Sequence, residues 1–294
     1  MRLATFNILH GRPMKEGRPF PLPAAAEEEL LVGAVASVDA DIMALQEVDR
    51  LQERSGQGDQ AAVAARAFGA KDWRYASALH GRAVMDKGWL LDAAEPGLRV
   101  YGPGASAARD DIPSHGIALL SRNPVRTWRA RRLAPAPVRL PLRVAGRPGL
   151  TWVPDQPRAA LAAVVEGERG PLTVVAVHLS FVPGWNVSQL VTIRRWVADL
   201  PAPHVVLGDF NLVGPVPWMV LAGATWLDRT ARRAGRGSEA WSDLARTPTY
   251  PSHRPMVQFD HVLAAGVPGG AVRESVTPAM PISDHRPLVV ELGF

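Results

Sequence analysis

Residues 204–211 read HVVLGDFN. An apolar run reaches Gly208, and Asp209 and Asn211 then follow two positions apart. The apolar run predicts a buried strand, and its end is polar. An acid and an amide at one strand end are ordinary in a solvated turn. They become informative if other strands of the chain end in the same way, because those ends could then meet.

Polar side chains of the same kinds close several other apolar runs. Asn7 lies in LATFNIL (3–9), Glu47 ends DIMALQE (41–47) and His178 lies near the end of LTVVAVHLS (172–180). Two sheets that pack face to face can bring many strand ends to one rim. The pattern therefore predicts a site built from strand ends, and its members are Asn7, Glu47, His178, Asp209, Asn211, Asp260, Asp284 and His285.

The rest of the chain alternates short strand patterns with a few helical ones. Apolar periodicity predicts helices over 24–38, 60–69 and 186–200, and Gly/Pro/Arg-rich composition predicts long surface loops over 80–114 and 134–157. No linker divides the chain, so we expect one domain over 1–294, with mixed sheets covered by helices. Further strands are predicted at 73–79, 116–121, 159–165, 256–263 and 286–293.

Composition restricts the class of protein. The chain has 294 residues, 47% of them hydrophobic, which is enough for a sizeable core. The absence of cysteine excludes disulfides, zinc-thiolate sites and cysteine nucleophiles, and it is consistent with a reducing compartment. No long apolar segment or signal peptide is recognisable. We therefore expect a cytoplasmic monomer without a membrane span or an obligate protein partner.

The basic charge has two interpretations. The net charge is +5, and eight arginines but no acid lie between Arg122 and Arg147. Such a cluster is typical of proteins that bind polyanions such as nucleic acid. Only three of the 33 basic residues are lysine, however, and the many Ala, Gly and Pro residues are also typical of a GC-rich genome.

Seven motifs in order give the chain a resemblance to a known family. TFNILHG, DIMALQEVD, HGIALLSRNPV, VVAVHLS, VVLGDFN, QFDHVL and SDHRPL resemble, in this order, the endonuclease/exonuclease/phosphatase superfamily. The resemblance extends from Asn7 to His285. It implies a DNase I-like α/β fold, a four-layer sandwich of two packed mixed β-sheets flanked by helices. It also implies hydrolysis of phosphoester bonds by an activated water and a divalent metal.

The resemblance assigns expected roles to individual residues. Glu47 and Asn7 are expected to hold Mg²⁺, with Mn²⁺ as a possible substitute, and Asp284 to support the metal side. Asp209 is expected to activate the water, and Asn211 to position the water or the phosphate. His285 and Asp260 resemble a hydrogen-bonded pair, and either His285 or Asp209 could be the general base. His178 and Arg158 are expected to contact phosphate oxygens, and His10 and His261 to have structural or supporting roles.

The sequence leaves the substrate open. Leu9 occupies a position where abasic-site endonucleases usually carry an acid, and LQEVD replaces their LQET, so abasic-site repair is disfavoured. Nucleic acid is the leading substrate class, and the segment 122–147 with Trp128, Trp185 and a second arginine group are candidates for contacting it. The alternatives are a phosphatase or phospholipase-like hydrolase of a small or lipid phosphoester, and a phosphate-binding module without catalysis. The second arginine group comprises Arg229, Arg232, Arg233 and Arg236.

Overall fold

A computed structural model describes residues 1–84, 88–104, 112–142, 149–231, 240–267 and 270–293. In these residues the strands are β1 Arg2–Asn7, β2 Met14–Lys15, β3 Arg18–Pro19, β4 Ile42–Arg50, β5 Asp72–Val84, β6 Gly88–Leu91, β7 Arg99–Tyr101, β8 Ser114–Ser121, β9 Val125–Leu133, β10 Arg139–Leu142, β11 Thr151–Pro154, β12 Arg158–Gly167, β13 Gly170–His178, β14 His204–Asp209, β15 Trp241–Asp243, β16 Asp260–Ala265, β17 Val272–Val276 and β18 Leu288–Leu292. The helices are α1 Ala24–Ser37, α2 Gln60–Phe68, α3 Trp185–Trp196 and α4 Val216–Ala231, with single 3₁₀ turns at Leu9–Gly11 and Glu53–Ser55.

The first large sheet has the strand order β17-β18-β1-β4-β8-β5-β6, and β7 also pairs with β5. β1 and β4 are parallel, and the chain crosses between them through α1. Parallel strands need such a crossover, whereas antiparallel neighbours can be joined by short turns. Because β1 and β4 run in one direction, the carboxyl ends of both strands lie at the same edge of this sheet.

The second large sheet has the order β15-β16-β14-β13-β12-β9. It also contains a parallel pair with a helical crossover, since β13 and β14 are parallel and α3 connects them. β16 is antiparallel to β14, so its first residue lies beside the last residue of β14.

The two sheets pack face to face, and helices cover their outer faces. The central core joins Leu3, Ile42 and Leu119 of the first sheet to Leu161 and Leu207 of the second. A second cluster fills the space between the first sheet and α1 and α2, and a third lies between the second sheet and α3 and α4. This arrangement of helix, sheet, sheet and helix confirms the predicted four-layer sandwich.

Helix ends follow local chemistry where the sequence provides it. The side chain of Asp59 caps α2 by accepting a hydrogen bond from the Ala62 N–H at 3.0 Å. The same helix ends at Gly69, whose φ of 71° lies in the left-handed region that glycine adopts without strain.

Two of the sequence predictions are wrong about regular structure. The stretches 80–114 and 134–157 are not loops throughout, since they contain the end of β5, all of β6, β7, β10 and β11, and the start of β8. β6 pairs with β5, and β10 with β11, as local hairpins, whereas β7 joins the large sheet beside β5. The Gly, Pro and Arg content of these stretches hides the alternation that marks a half-buried strand. The strand predicted over 256–263 begins only at Asp260, because residues 256–259 form an irregular approach in which Met256 is exposed.

None of the helices in the described part of the chain combines the length and the hydrophobicity needed to cross a bilayer.

Candidate active site

Three of the predicted residues lie side by side across the second sheet. His178 is the register partner of Asp209 on the parallel strand, and Asp209 is the register partner of Asp260 on the antiparallel strand. All three side chains are buried. Gly208 allows this close alignment, because a Cβ at that position would lie 1.9 Å from the carbonyl oxygen of Val177. The strand ends of HVVLGDFN therefore meet their neighbours as the sequence pattern predicts.

The first sheet contributes Asn7 and Glu47 to the same site. Asn7 ends β1 and pairs in register with Gln46 on β4, and Glu47 is the residue that follows Gln46. At this point β4 bulges between Leu45 and Val48, and Glu47 has a φ of 55°. A bulge re-aims one side chain relative to the regular alternation of the strand, and a non-glycine residue at positive φ is uncommon.

Asn7 joins the two sheets through its carboxamide. Its Nδ2 group donates to Glu47 Oε1 at 3.2 Å and to Asp209 Oδ2 at 3.0 Å. Its Oδ1 atom accepts the backbone N–H of Leu9 at 3.1 Å. The nitrogen, and not the oxygen, therefore faces the carboxylates. These bonds make Asn7 a bridge between Glu47 and Asp209, and its expected role at the metal stays a prediction.

His285 and Asp260 form the predicted pair. His285 Nδ1 lies 2.8 Å from Asp260 Oδ2, which also accepts the hydroxyl of Thr249 at 2.6 Å. Burial disfavours the charged imidazole, but the carboxylates of Asp260, Asp209 and Asp284, with Asp260 foremost, more than compensate and raise the pKa of His285 to about 10. The other ring nitrogen, Nε2, lies 3.9 Å from Asp209 Oδ2. His285 is therefore held by Asp260 and directed at Asp209.

Asp209 occupies the centre of the cluster. Its Oδ1 atom accepts the backbone N–H of Asn211 at 2.9 Å, and its Oδ2 atom lies 3.7 Å from His178 Nε2. Burial raises the pKa of Asp209 to about 6, and the nearby Asp260 acts in the same direction. Asn211 has a φ of 49°, and its side-chain Nδ2 donates to the Leu179 carbonyl at 3.0 Å. Asn211 thus holds Asp209 through its backbone.

His178 and Arg158 lie on strands β13 and β12 of the second sheet and form one side of the site. Arg158 Nη1 lies 3.0 Å from His178 Nδ1 and 3.2 Å from Nε2. Burial first, and the guanidinium second, lower the pKa of His178 well below its ordinary value. His178 is therefore neutral beside a permanent cation, and Arg158 supplies the positive charge that an anionic substrate requires.

The donor set fits a divalent cation. Glu47 and Asp284 are half-buried carboxylates. Burial is the largest cause that raises the pKa of Asp284, and the nearby Glu47 carboxylate raises it further. Burial opposes the charged form of Glu47, but His115, His10 and the Asn7 hydrogen bond together hold its pKa below the ordinary value. Glu47, Asp209, Asp260 and Asp284 bring four carboxylates to a site whose cations are Arg158 and His285. Oxygen ligands with excess negative charge are the surroundings that Mg²⁺ prefers.

A second arrangement of possible ligands lies deeper in the cluster. One ligand atom from each of Asp209, Asp260 and His285 lies within 4.8 Å of the others. Asp260 Oδ1 is buried and has no hydrogen-bond partner among the described residues. A metal could therefore be held on either side of Asp209.

The structure also brings residues to the site that the sequence analysis did not assign. Thr249 holds Asp260, and Ser283 donates to the Asn7 carbonyl at 2.6 Å while accepting the His285 N–H at 3.0 Å. His115 and Asp49 lie next to Glu47. Asp49 could have been found from the sequence, since it lies two residues after Glu47 and so on the same face of the strand. The other three depend on long-range pairing.

Several further sequence predictions concern residues beside the site. His261 is fully buried, and its Nε2 lies 2.9 Å from the Leu212 carbonyl, which agrees with a structural role. The indole N–H of Trp128 donates to Asp72 at 2.9 Å, with the Arg74 guanidinium 5.0 Å from its ring, and the indole N–H of Trp185 donates to the Ala134 carbonyl at 2.8 Å. Both indoles therefore anchor the structure. The arginines predicted as a second contact group lie outside the described residues or have undescribed side chains: Arg229, Arg232, Arg233 and Arg236.

Comparison with known proteins agrees with this geometry. The sequence matches the model of the endonuclease/exonuclease/phosphatase family over residues 4–285. The chain belongs to this family. Members of the family generally use divalent metals, and the family relationship supports hydrolysis of phosphoesters. The comparison with curated proteins yields no match.

Solved structures of other family members share the fold at low sequence identity. A family protein from Leptotrichia buccalis superposes with a TM-score of 0.57 at 13% identity and full coverage of both chains. A mannosyl-6-phosphatase from Bacteroides thetaiotaomicron gives 0.53 at 13% identity, again with 100% of both chains covered. The 3′ phosphatase NExo from Neisseria, bound to a product DNA hairpin, gives 0.50 at 14% identity and 100% coverage of both. These likenesses show the fold alone.

Proposed function

We propose that the whole chain works as one catalytic domain, a monomer acting in the cytoplasm, that hydrolyses a phosphodiester bond with an activated water and a divalent metal. Nucleic acid is the first candidate substrate. One observation carries the proposal: Asp209 lies between Asn7, His178 and His285, at the point where the strand ends of both sheets meet. A buried carboxylate with imidazoles on two sides is suited to accept a proton from water.

The residues divide the reaction among them. Asp209, held by Asn7 and by the Asn211 N–H, orients the attacking water and takes its proton. His285, charged because of Asp260, donates from Nε2 to the phosphoryl oxygen on which negative charge develops. Arg158 binds a non-bridging oxygen, and His178 adds a neutral hydrogen-bonding group beside it.

Glu47 and Asp284 would hold Mg²⁺, or Mn²⁺ in its place. When bound, such a cation supplies a Lewis acid that stabilises charge on the phosphoryl and leaving oxygens. Asn7 keeps Glu47 and Asp209 apart through its two hydrogen bonds, so the metal side and the water side of the site stay separate.

Charge at the rim favours a polymeric substrate. Arg131 and Arg132 are exposed on the edge strand β9, and their register partners are Ala160 and Ala159, next to Arg158. Within the described residues neither of them has an ion pair. Successive side chains of a strand point to opposite faces, so of these two only Arg132, opposite Ala159 of the central core, lies on the inner face of the sheet. Its exposed guanidinium is suited to contact a neighbouring phosphate of a nucleic acid backbone.

A second candidate is a small or lipid phosphoester, cleaved by a phosphatase or phospholipase-like reaction. It is favoured by the ion pairing of other arginines in the basic stretch. Arg129 binds Asp199 at 2.7 Å, Arg126 pairs with Glu166, and Arg122 lies 3.8 Å from Asp39. These pairs reduce the positive surface that is free to follow a polymer.

An activity panel tests the proposal. Plasmid DNA, single-stranded DNA, RNA, bis-nitrophenyl phosphate, phosphoinositides and sphingomyelin are each incubated with the protein and Mg²⁺ or Mn²⁺. We expect turnover that chelation abolishes and metal restores. For a nucleic acid, binding should weaken steeply with salt because condensed counterions are released. A salt-independent rate on small esters would support the second candidate.

Lack of turnover on every substrate, together with retained phosphate binding, would instead identify a phosphate-binding module and reject hydrolysis.

A further inference from the structure

A second histidine–carboxylate pair, His115 and Asp49, lies near Glu47. His115 on β8 is the register partner of Asp49 on β4. Its Nδ1 lies 2.7 Å from Asp49 Oδ1, and both residues are buried. The Asp49 carboxylate also accepts two hydrogen bonds from Arg54, at 2.8 and 2.9 Å, and one from Ser55 at 3.1 Å. Arg54 Nη2 also lies 3.3 Å from Nδ1, but the shorter contact is with the carboxylate, which can only accept, so Nδ1–H donates to Asp49.

The other ring nitrogen of His115, Nε2, is not used by the pairing with Asp49. Nε2 makes no hydrogen bond to any described residue, and the ring lines a cavity that it shares with Arg158, His178 and Gln156. The next residue, Gly116, permits this placement, because a Cβ there would lie 2.1 Å from the Ala76 carbonyl oxygen. With Nδ1–H donating to Asp49, Nε2 is the ring nitrogen left to accept a hydrogen bond. The cavity beside the phosphate-binding residues thus contains a hydrogen-bond acceptor that the proposed reaction does not use.

An aromatic side chain packs against the His115 ring. The Trp89 indole on β6 lies 5.3 Å from the His115 ring, and the Arg54 guanidinium lies 5.1 Å from the same indole. Trp89 is half-buried, and it is followed by Leu90 and Leu91, which are 54% and 59% exposed. An aromatic face next to a hydroxyl acceptor is suited to hold a sugar or polyol.

We propose that His115, positioned by Asp49, accepts a hydrogen bond from a hydroxyl on the alcohol portion of the phosphoester and so selects substrates that carry one. The inference rests on the proposed function, and it narrows the substrate to phosphoesters of ribose, sugars or polyols. His115 is a specificity residue in this scheme, and the bond-breaking groups remain those around Asp209.

Matched substrate pairs test this selection. RNA and DNA oligonucleotides of one sequence form the first pair, and glycerol phosphate and propyl phosphate form the second. The ratio of kcat/KM within each pair, in Mg²⁺, should favour the hydroxylated member by about 10-fold or more in at least one pair, as expected for one hydrogen bond in a buried site. A ratio above one for the oligonucleotides identifies ribose, and a ratio above one for the small esters identifies a polyol.

Variants at position 115 distinguish loss of the hydrogen-bond acceptor from a general effect on the fold. The carboxamide of H115N can reach Asp49 but not the cavity, so its ratio should fall to about one. The carboxamide of H115Q reaches the position of Nε2 and should keep part of the preference. H204N is the matched control, because His204 begins β14, at the opposite end of that strand from Asp209, and it should keep the wild-type ratio.

Two results would overturn the inference. One is a wild-type ratio near one in both pairs, and the other is a ratio in H115N equal to that of the wild type. The same ratios are measured by calorimetric binding with Ca²⁺ in place of Mg²⁺. If no compound is turned over, the proposed function fails, while the binding ratios of wild type and H115N still decide the role of His115.

Discussion

At the scale of single residues, the site stores backbone strain. Glu47 and Ser283 have φ values of 55° and 70°, and both contact or position the central carboxylate cluster. For such residues this conformation costs on the order of 1–3 kcal/mol and persists only where surrounding contacts impose it. Asn211, at 49°, is of a residue type that adopts this region readily. Here the contacts are visible: Asn7 holds Glu47, and Ser283 bonds both Asn7 and His285. The strain therefore accompanies the aiming of polar groups at one point.

Replacing Asp209 by Asn should separate chemistry from folding. The amide keeps an oxygen for the Asn211 N–H but cannot accept a proton from water. We expect kcat to fall by about 10²–10⁴-fold, the usual contribution of a general base. Steady-state kinetics with Mg²⁺ measure the loss, and circular dichroism checks the fold. D199N is the control, since Asp199 is exposed and pairs only with Arg129 among the described residues. A D209N rate within a few fold of the wild-type rate would remove Asp209 from the mechanism.

His10 should make the fold sensitive to acid. Burial first, and then Arg54, lower its pKa to about 3. Its Nδ1 atom is buried without a hydrogen-bond partner among the described residues. Between pH 6.5 and 3 the unfolded chain binds a proton at this ring that the folded chain does not, so stability should decrease as the pH falls through this range. The slope from one such group is at most about 1.4 kcal/mol per pH unit.

Urea denaturation at a series of pH values measures this effect. In H10N, where asparagine tolerates the φ of 46° found at this position, the free energy of unfolding should vary less between pH 6.5 and 4. Parallel curves for the wild type and H10N would show that His10 does not carry the dependence.

At the scale of elements, strand alignment places the reactive groups. The register of β13, β14 and β16 puts His178, Asp209 and Asp260 in one row, and a shift of one residue would turn each side chain to the opposite face. Gly208 maintains this register through its close contact with β13. The helices contribute by covering the sheets, and they bring none of the eight predicted strand-end residues to the site.

A methyl group at position 208 should therefore damage both stability and activity. In G208A the added Cβ would meet the Val177 carbonyl oxygen, so we expect a loss of about 1–3 kcal/mol of unfolding free energy and a strongly reduced rate. In the control G33A, the new methyl on α1 has no neighbour within 4 Å, and alanine should stabilise the helix by about 0.5–1 kcal/mol. Denaturation curves of equal midpoint for the two variants would contradict this account of Gly208.

At the scale of the whole molecule, the two sheets form one site only when they are packed together. Glu47 and Asn7 belong to the first sheet, Asp209 and His178 to the second, and the Asn7 carboxamide spans the gap. Four carboxylates gathered in this way repel one another, so a bound cation should stabilise the folded chain. Binding to the native state alone adds stability in proportion to the logarithm of ligand concentration, about 2.7 kcal/mol at a hundredfold excess over Kd.

Thermal melting with and without metal measures this stabilisation. Mg²⁺ or Mn²⁺ should raise the Tm of the wild type by several degrees, and a chelator should reverse the rise. E47Q should remove most of the shift while keeping the hydrogen bond to Asn7. E53Q, at an exposed carboxylate outside the cluster, should respond to metal like the wild type. A metal-dependent Tm shift that E47Q leaves unchanged would place the cation elsewhere.

Much of the site could be predicted from the sequence, and the rest could not, for physical reasons. Strand period and the polar residues that end apolar runs are local properties, so the composition of the rim at Glu47, Asp209 and His285 could be recognised without coordinates. The four-layer fold followed from the family resemblance, which rests on the seven ordered motifs. The short strands β6, β7, β10 and β11 escaped notice because their pairing, and not their composition, makes them strands.

Only the tertiary structure decided which atoms meet. Contacts between distant segments set the orientation of the Asn7 amide and pair His115 with Asp49. Such contacts also engage the indole N–H groups of Trp128 and Trp185 in structural hydrogen bonds. The residue type sets the chemistry of a side chain, whereas its role depends on the neighbours that sheet register and sheet packing bring next to it. The sequence by itself therefore determined the reactive groups and the family, and folding decided how those groups are aimed.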